Sequence, residues 1–327
     1  MSLRAFLGDP ALKAETLNRV RQAWDARQII PLIYLKWSNG AGVASLAGTI
    51  AQTQDPALFV ARTGLPLELA LLCEMLVNTG ITFQDDETAP RGFTMSADER
   101  IWSFGLEWLE AIAVDADVSD IVARFLPVFL THILSDEFPL SAAIDPAVKS
   151  VARDILQLWE RERRGEPVPS KAWRTIRANA VLVSEGSSDP AGYAAADLVE
   201  SLAWPCAGIA VEGPVISQKF LQSCLQVLAA PFLPPQDQID WAKGQAAQRE
   251  LRRIRSEAPD ADLSDEELLD RHPEIKQAML APQQPAAAAR MDAAKQKARS
   301  ALLPFLLQQM DALLNLLRQT SDRPVSP

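Results

Sequence analysis

Apolar residues recur along this chain at spacings of three and four. Trp102, Leu106, Leu109 and Ile112 step by four, three and three. Ile155, Leu158 and Trp159 follow the same logic ahead of the charged run Glu160 to Arg164. Near the end, Leu303, Leu306, Met310, Leu313 and Leu317 step by three, four, three and four. Such spacing puts each set on one face of an α-helix. Polar–apolar alternation of strand type is scarce, and the single Asn-Gly pair is Asn39-Gly40, so no hairpin is expected.

Helix starts are marked locally. Asp9-Pro10, Asp55-Pro56, Asp145-Pro146 and Asp189-Pro190 each precede a stretch rich in Ala, Leu or Val. An Asp carboxylate accepts the orphan N–H groups of a first turn, and Pro suits the next position because its missing N–H has no helical partner there. Ser96 with Glu99 and Ser264 with Glu267 have the spacing of capping boxes. These signals predict an all-α protein: an irregular helical bundle or array over 1–235, then a smaller helical tail over 236–327. The boundary is placed at Pro231-Phe232-Leu233-Pro234-Pro235, and a Pro/Ala-rich linker near 281–289 interrupts the tail.

Charge adds to that division. The 327 residues carry 32 basic and 42 acidic side chains, a net charge of −10. Residues 1–235 account for 19 basic and 28 acidic, and residues 236–327 for 13 and 14. An acidic body argues against a chain built to grip nucleic-acid phosphates or anionic membranes. The strongest feature is the segment 85–120, where ten acids face only Arg91 and Arg100. Asp85, Asp86, Glu87, Glu107, Glu110, Asp115, Asp117 and Asp120 are the residues expected to form a docking surface for a basic protein, with Phe83, Phe93, Trp102 and Trp108 interleaved. The basic set Arg249, Arg252, Arg253 and Arg255 is diluted by Glu250 and Glu257 and has no aromatic stacking partners nearby, so it is read as pairing with the acidic body.

Candidate chemistry is sparse. Cys73, Cys206 and Cys224 are widely spaced in apolar sequence and read as reduced core thiols. His132 and Asp136 stand four apart with Glu137 adjacent, a helical geometry for an acid/base or metal pair. The only other histidine is His272, so no metal or cofactor is expected. Trp37-Ser38-Asn39-Gly40-Ala41-Gly42-Val43 lacks the Gly-Lys-Ser/Thr of a phosphate cradle, and Gly40, Gly42 and Gly48 are expected to shape a turn and permit close approach. Ser184 to Ser188 reads as a polar loop. The N-terminus has no signal-peptide apolar core. The stretch 64–80 is broken by Glu68 and Glu74, and 121–134 is short and carries Arg124 and His132, so neither reaches the roughly 20 apolar residues of a membrane span. A cytoplasmic chain is expected.

Two stretches carry a resemblance. Thr63-Gly64-Leu65-Pro66, followed by the run from Glu107-Trp108-Leu109-Glu110-Ala111-Ile112 to Ser119, resembles a pattern in uncharacterised bacterial helical proteins, with Ala113 where that pattern has proline and Asp115 where it has glycine. The region Trp159 to Trp204, with Trp173-Arg174, Ala178 and an alanine-rich helix at 191–204, resembles bacterial immunity proteins built of repeated helices. The resemblance implies a non-enzymatic bacterial protein that neutralises a toxin, and the acidic surface suits a protein-binding module whose partner is basic. Two alternatives stand beside it. One is a structural or adaptor subunit that forms a homo-oligomer through Leu303, Leu306, Met310, Leu313 and Leu317. The other is a hydrolase using His132, Asp136 and Glu137.

Overall fold

The computed structural model describes residues 3–38, 44–89, 91–187, 189–257 and 264–320. The chain is 74% helical, with fifteen α-helices and one two-stranded sheet among the described residues. The first four helices are α1 (Pro10–Asp25), α2 (Leu46–Ala51), α3 (Pro56–Thr63) and α4 (Leu67–Gly80). A hairpin of β1 (Thr82–Asp85) and β2 (Phe93–Ser96) follows, and then α5 (Glu99–Ala111) and α6 (Ile121–Ile133). Next come α7 (Pro146–Arg163), α8 (Ser170–Gly186), α9 (Pro190–Leu202), the single turn α10 (Cys206–Ile209) and α11 (Gly213–Ala229). The chain ends with α12 (Pro235–Glu257), α13 (Asp265–Arg271), α14 (Pro273–Leu280) and the 36-residue α15 (Pro285–Thr320).

All four Asp-Pro pairs begin helices. Asp9, Asp55, Asp145 and Asp189 each accept a backbone N–H two residues on, at 2.7–2.9 Å, and open α1, α3, α7 and α9. Ser264 and Glu267 form the reciprocal capping box at α13. The Ser96–Glu99 expectation is corrected. Ser96 pairs with Thr82 in the hairpin, and the cap of α5 is Asp98, which accepts from the Arg100 N–H at 2.9 Å. A carboxylate one residue before the helix takes the orphan N–H directly, which frees Ser96 for the strand. Ser184 to Gly186 also departs from expectation, since it completes α8 rather than forming a loop.

One core joins most of the helices. Phe104 and Trp108 of α5, Phe125 and Phe129 of α6, Leu69 and Leu72 of α4, and Leu221 of α11 are all buried in it. The second half of α15 enters the same core through Leu302, Phe305, Leu306, Met310, Leu313 and Leu317. Phe305 packs against Phe129 and Phe138, with ring centroids 5.9 and 5.0 Å away. The first half of α15 packs elsewhere: Ala294 and Ala298 form a small cluster with Leu225, Ala229 and Leu233 at the end of α11. Residues beyond 235 therefore divide. The helices α12 and α14 pack on one another, and α15 then returns to the body.

Backbone geometry explains two sequence features. Gly48 lies in α2, where a Cβ would stand 1.7 Å from the Lys36 carbonyl oxygen. We expect Gly48→Ala to destabilise the fold by ~2 kcal/mol or more through forced displacement of the backbone at Lys36, read by urea denaturation. Asp115 stands where the resembled pattern has glycine and adopts φ +72°. Its left-handed conformation is held by its N–H bonded to the Ala5 carbonyl at 3.0 Å and by the ion pair of its carboxylate with Arg4. Asp tolerates this region better than most side chains.

Candidate functional site

The acidic segment is split by α5, whose 13 residues span about 20 Å. Asp85, Asp86 and Glu87 lie in the hairpin, close to the start of α5, because Arg91 reaches the carbonyls of Arg27 and Gln28 just beyond α1 and Trp24 packs edge-to-face with Trp102. Glu110, Asp115, Asp117 and Asp120 lie at or beyond the other end. There the carboxylates serve the fold. Glu110 pairs with Arg21 at 2.6 Å, Asp115 with Arg4, and Asp117 accepts the N–H and hydroxyl of Ser119. Asp120 stands 3.9 Å from Arg124, and Glu107 is half-buried on α5 itself. The Arg4 guanidinium, hydrogen-bonded to Asp115, holds that carboxyl below the usual range. The acids expected to share one surface are thus divided between the two ends of α5.

At the hairpin the acids are less engaged. Asp86 closes the turn by accepting from the Thr88 N–H and hydroxyl, which lowers its pKa. Asp85, Glu87 and Glu99 have no ion-pair partner among the described residues. Two nearby cations are occupied, Arg91 on backbone carbonyls and Arg100 on Asp311 at 2.7 Å.

The hairpin register adds a second property. Thr82 opposes Ser96 and Gln84 opposes Thr94, and the Asp86 N–H donates to the Gly92 carbonyl at 2.9 Å in the same phase. In an antiparallel pair this phase turns the N–H and C=O of Phe83, Phe93 and Met95 outward. On the β1 side the Phe83 carbonyl accepts from Gln296 of α15 at 3.5 Å. On the β2 side the backbone groups of Phe93 and Met95 have no partner among the described residues. Phe83, Phe93 and Met95 are half-buried, and Thr94 and Ser96 are exposed. The result is a short open edge, about 13 Å long. Asp85, Asp86 and Glu87 precede it, and Asp98 and Glu99 follow it.

The other sequence candidates fall as follows. The stripe Leu306, Met310, Leu313 and Leu317 is buried in the core, with Leu303 partly buried against it. It is therefore not a free self-association seam, because the faces of α4, α5, α6 and α11 already cover it. His132 and Asp136 are not brought together. The helix α6 ends at Ile133, so the four-residue phase is lost before Asp136, which is exposed. His132 Nδ1 instead meets the buried Gln309 amide at 3.0 Å, and Glu137 meets Gln308 at 3.5 Å. Among the described residues no three His, Cys, Asp or Glu side chains gather into a metal-binding set.

All three cysteines are buried and unpaired, and burial raises each thiol, Cys206 to about 12. Arg252 pairs with Asp197 of the body at 2.7 Å, whereas Arg253 pairs with Glu250 on its own helix. Trp159 and Trp204 do meet, the indole N–H of the first donating to the carbonyl of the second at 2.8 Å. Residues 39–43 of the glycine-bearing segment lie outside the described residues. The helix α15 is the one described single helix long and apolar enough to cross a membrane, with a window mean hydropathy of 1.2.

Two residues of consequence escape local sequence reading. Glu74 of α4 is fully buried and accepts from the N–H groups of Leu32, Leu46 and Ala47 at 2.9, 2.6 and 3.4 Å. Burial pushes its carboxyl up to about 8, against the opposing pull of those three donors. Arg299 of α15 is half-buried at the base of the hairpin. No family model matches the chain, and no curated protein or solved structure is significantly similar to it.

Proposed function

We propose that the chain is a cytoplasmic protein-binding module that takes a basic, extended segment of its partner as a third strand along β2. The observation that carries this reading is the unpartnered outer edge at Phe93 and Met95, flanked at both ends by uncompensated acids. Strand addition supplies affinity through main-chain hydrogen bonds, and side chains at alternate positions supply choice of partner. Four added bonds, at ~0.5–1.5 kcal/mol net each, support weak to moderate binding on their own. Charge complementarity from Asp85, Glu87, Asp98 and Glu99 then raises the encounter rate for a basic segment. A toxin is the partner class implied by the helical resemblance, and a basic one would have that chemistry. The cytoplasmic part of the proposal is supported by three unpaired thiols, which suit a reducing compartment.

The test uses a fluorescein-labelled peptide of alternating Lys and Thr, followed by anisotropy and stopped flow. Met95→Pro removes an outward N–H without touching the β1–β2 ladder, and binding should fall at least tenfold. Asp85→Asn, Glu87→Gln and Glu99→Gln together should slow association and flatten its dependence on salt above ~0.15 M, where the Debye length is about 8 Å. Amide exchange at Phe93 and Met95 should slow when the peptide binds. A Met95→Pro variant that binds as the wild type does, with no protection at those amides, would place the interface away from β2.

A further inference from the structure

Beside the base of the hairpin, where α4 ends, α5 begins and α15 crosses, lies a cavity of about 260 Å³ that opens to solvent on one side. It is smaller than the usual drug-sized pocket, so its natural occupant is a small metabolite. Ile101, Leu303 and Leu306 supply an apolar wall, and Gly80 lets α4 pack closely against Ile101 there, since a Cβ would stand 2.2 Å from its side chain. Arg299 and Asp98, opposite in charge, both line it.

Neither charge is satisfied by the fold. Arg299 donates from Nε to the Thr79 carbonyl and from Nη1 to the Thr82 hydroxyl, both at 3.4 Å, the long end of hydrogen bonding. Among the described residues its remaining donors have no partner, and no carboxylate lies within ion-pair distance. Burial lowers its pKa, and the only charge that counters this is the more distant Asp292 on the same helix. A half-buried guanidinium with free donors is a ready acceptor site for a planar carboxylate. Asp98 uses one oxygen to cap α5 through the Arg100 N–H, which leaves the other oxygen free. The two charges form no salt bridge with one another across the cavity.

We propose that this cavity binds a free α-amino acid with an aliphatic or thioether side chain. The carboxylate lies on Arg299, the ammonium on Asp98, and the side chain against Ile101, Leu303 and Leu306. A plain organic anion would leave Asp98 repelling it, and a plain amine would leave Arg299 without a counter-charge. Only a zwitterion matches both groups, and the apolar wall selects against polar side chains. This site shares Asp98 with the acids that flank the β2 edge, but amino-acid binding does not depend on strand addition.

The experiment is calorimetric titration of the full chain with L-leucine, L-methionine, N-acetyl-L-leucine and L-leucinamide, with thermal shift in parallel. L-leucine and L-methionine should bind, and each blocked analogue should bind tenfold or more weakly because it has lost one charge-assisted contact. Asp98→Asn keeps a good helix cap while removing the charge. It should weaken L-leucine by a similar factor and leave N-acetyl-L-leucine bound no more weakly than before. Arg299→Gln should weaken L-leucine and leave L-leucinamide unchanged. The analogue series on the wild-type protein stands even if a variant folds poorly. No binding of either amino acid up to about 10 mM, or equal affinity for leucine and both blocked analogues, would overturn the proposal.

Discussion

Glu74→Ala should remove about 3–5 kcal/mol of folding stability, a large share of the ~5–15 kcal/mol that holds an ordinary domain together. The carboxyl group does more than fill space. It accepts from Leu46 and Ala47 in the first turn of α2 and from Leu32 in the long connection that precedes it. Alanine would leave the buried N–H of Leu46 facing apolar side chains, and each such orphaned donor costs ~1–3 kcal/mol. It would also open a void between α4 and α2. Glu74→Gln keeps an acceptor at the Oε1 position, where the two shorter bonds arrive, and should cost far less. Urea denaturation of the three proteins at one pH orders them.

The same residue sets a pH dependence. Its folded pKa is raised to about 8 from an ordinary 4.5. Between those values the folded chain keeps a proton that the unfolded chain has released. Glu74 thus contributes its full share of stability below pH 4.5, and that share is lost as pH rises through the window to about 8. Within the window the limiting slope is ~1.4 kcal/mol per pH unit for one proton. Thermal unfolding of the wild type should therefore weaken from pH 5 to pH 8 relative to Glu74→Gln, which cannot ionise. A wild-type curve parallel to that of Glu74→Gln would mean that the folded protein holds Glu74 charged throughout.

What could be read from the sequence was what a few adjacent residues decide. A cap is local: the Asp9, Asp55, Asp145 and Asp189 carboxylates reach an N–H two residues on, so four helix starts were legible. The hairpin was not. Its strands have four residues each, its turn lacks a two-residue Asn-Gly or Asp-Gly connection, and the segment reads as a polar run. Once Phe93 to Ser96 form a strand, the nearest residue able to cap α5 is Asp98, and the Ser96–Glu99 spacing loses its meaning.

Candidate sites depend on distant partners, and there the sequence was silent. Glu74 is an interruption in an apolar run until Leu32 and Leu46, 42 and 28 residues away, arrive beside it. Arg299 is one of several basic residues on α15 until the hairpin closes over it. The acids of 85–120 were legible as charge but not as a surface. Which of them remain free is decided by Arg4, Arg21 and Arg91, whose reach across the fold no local pattern encodes. Periodicity likewise identified the face of α15 that must be covered without saying by what.

That cover leads to the second large effect, removal of residues 300–327. Had the stripe been a seam between copies, the truncated chain would stay folded and only its mass would change. Instead Leu302, Phe305, Leu306, Met310, Leu313, Leu314 and Leu317 are each at most 3% exposed within their own chain. Each buried side chain of this size contributes ~1.5–3 kcal/mol through burial alone. Their combined loss rivals the whole stability of a domain, before counting the surface uncovered on α4, α5, α6 and α11. The truncated protein should fail to fold cooperatively, with broadened thermal unfolding and strong binding of an apolar dye. A milder variant keeps the comparison quantitative. Phe305→Ala should cost ~3–5 kcal/mol, because its ring fills the space between Phe129 and Phe138. A sharp unfolding transition at the wild-type temperature in the truncated chain would show that α15 is dispensable to the body, and the shared core would be wrong.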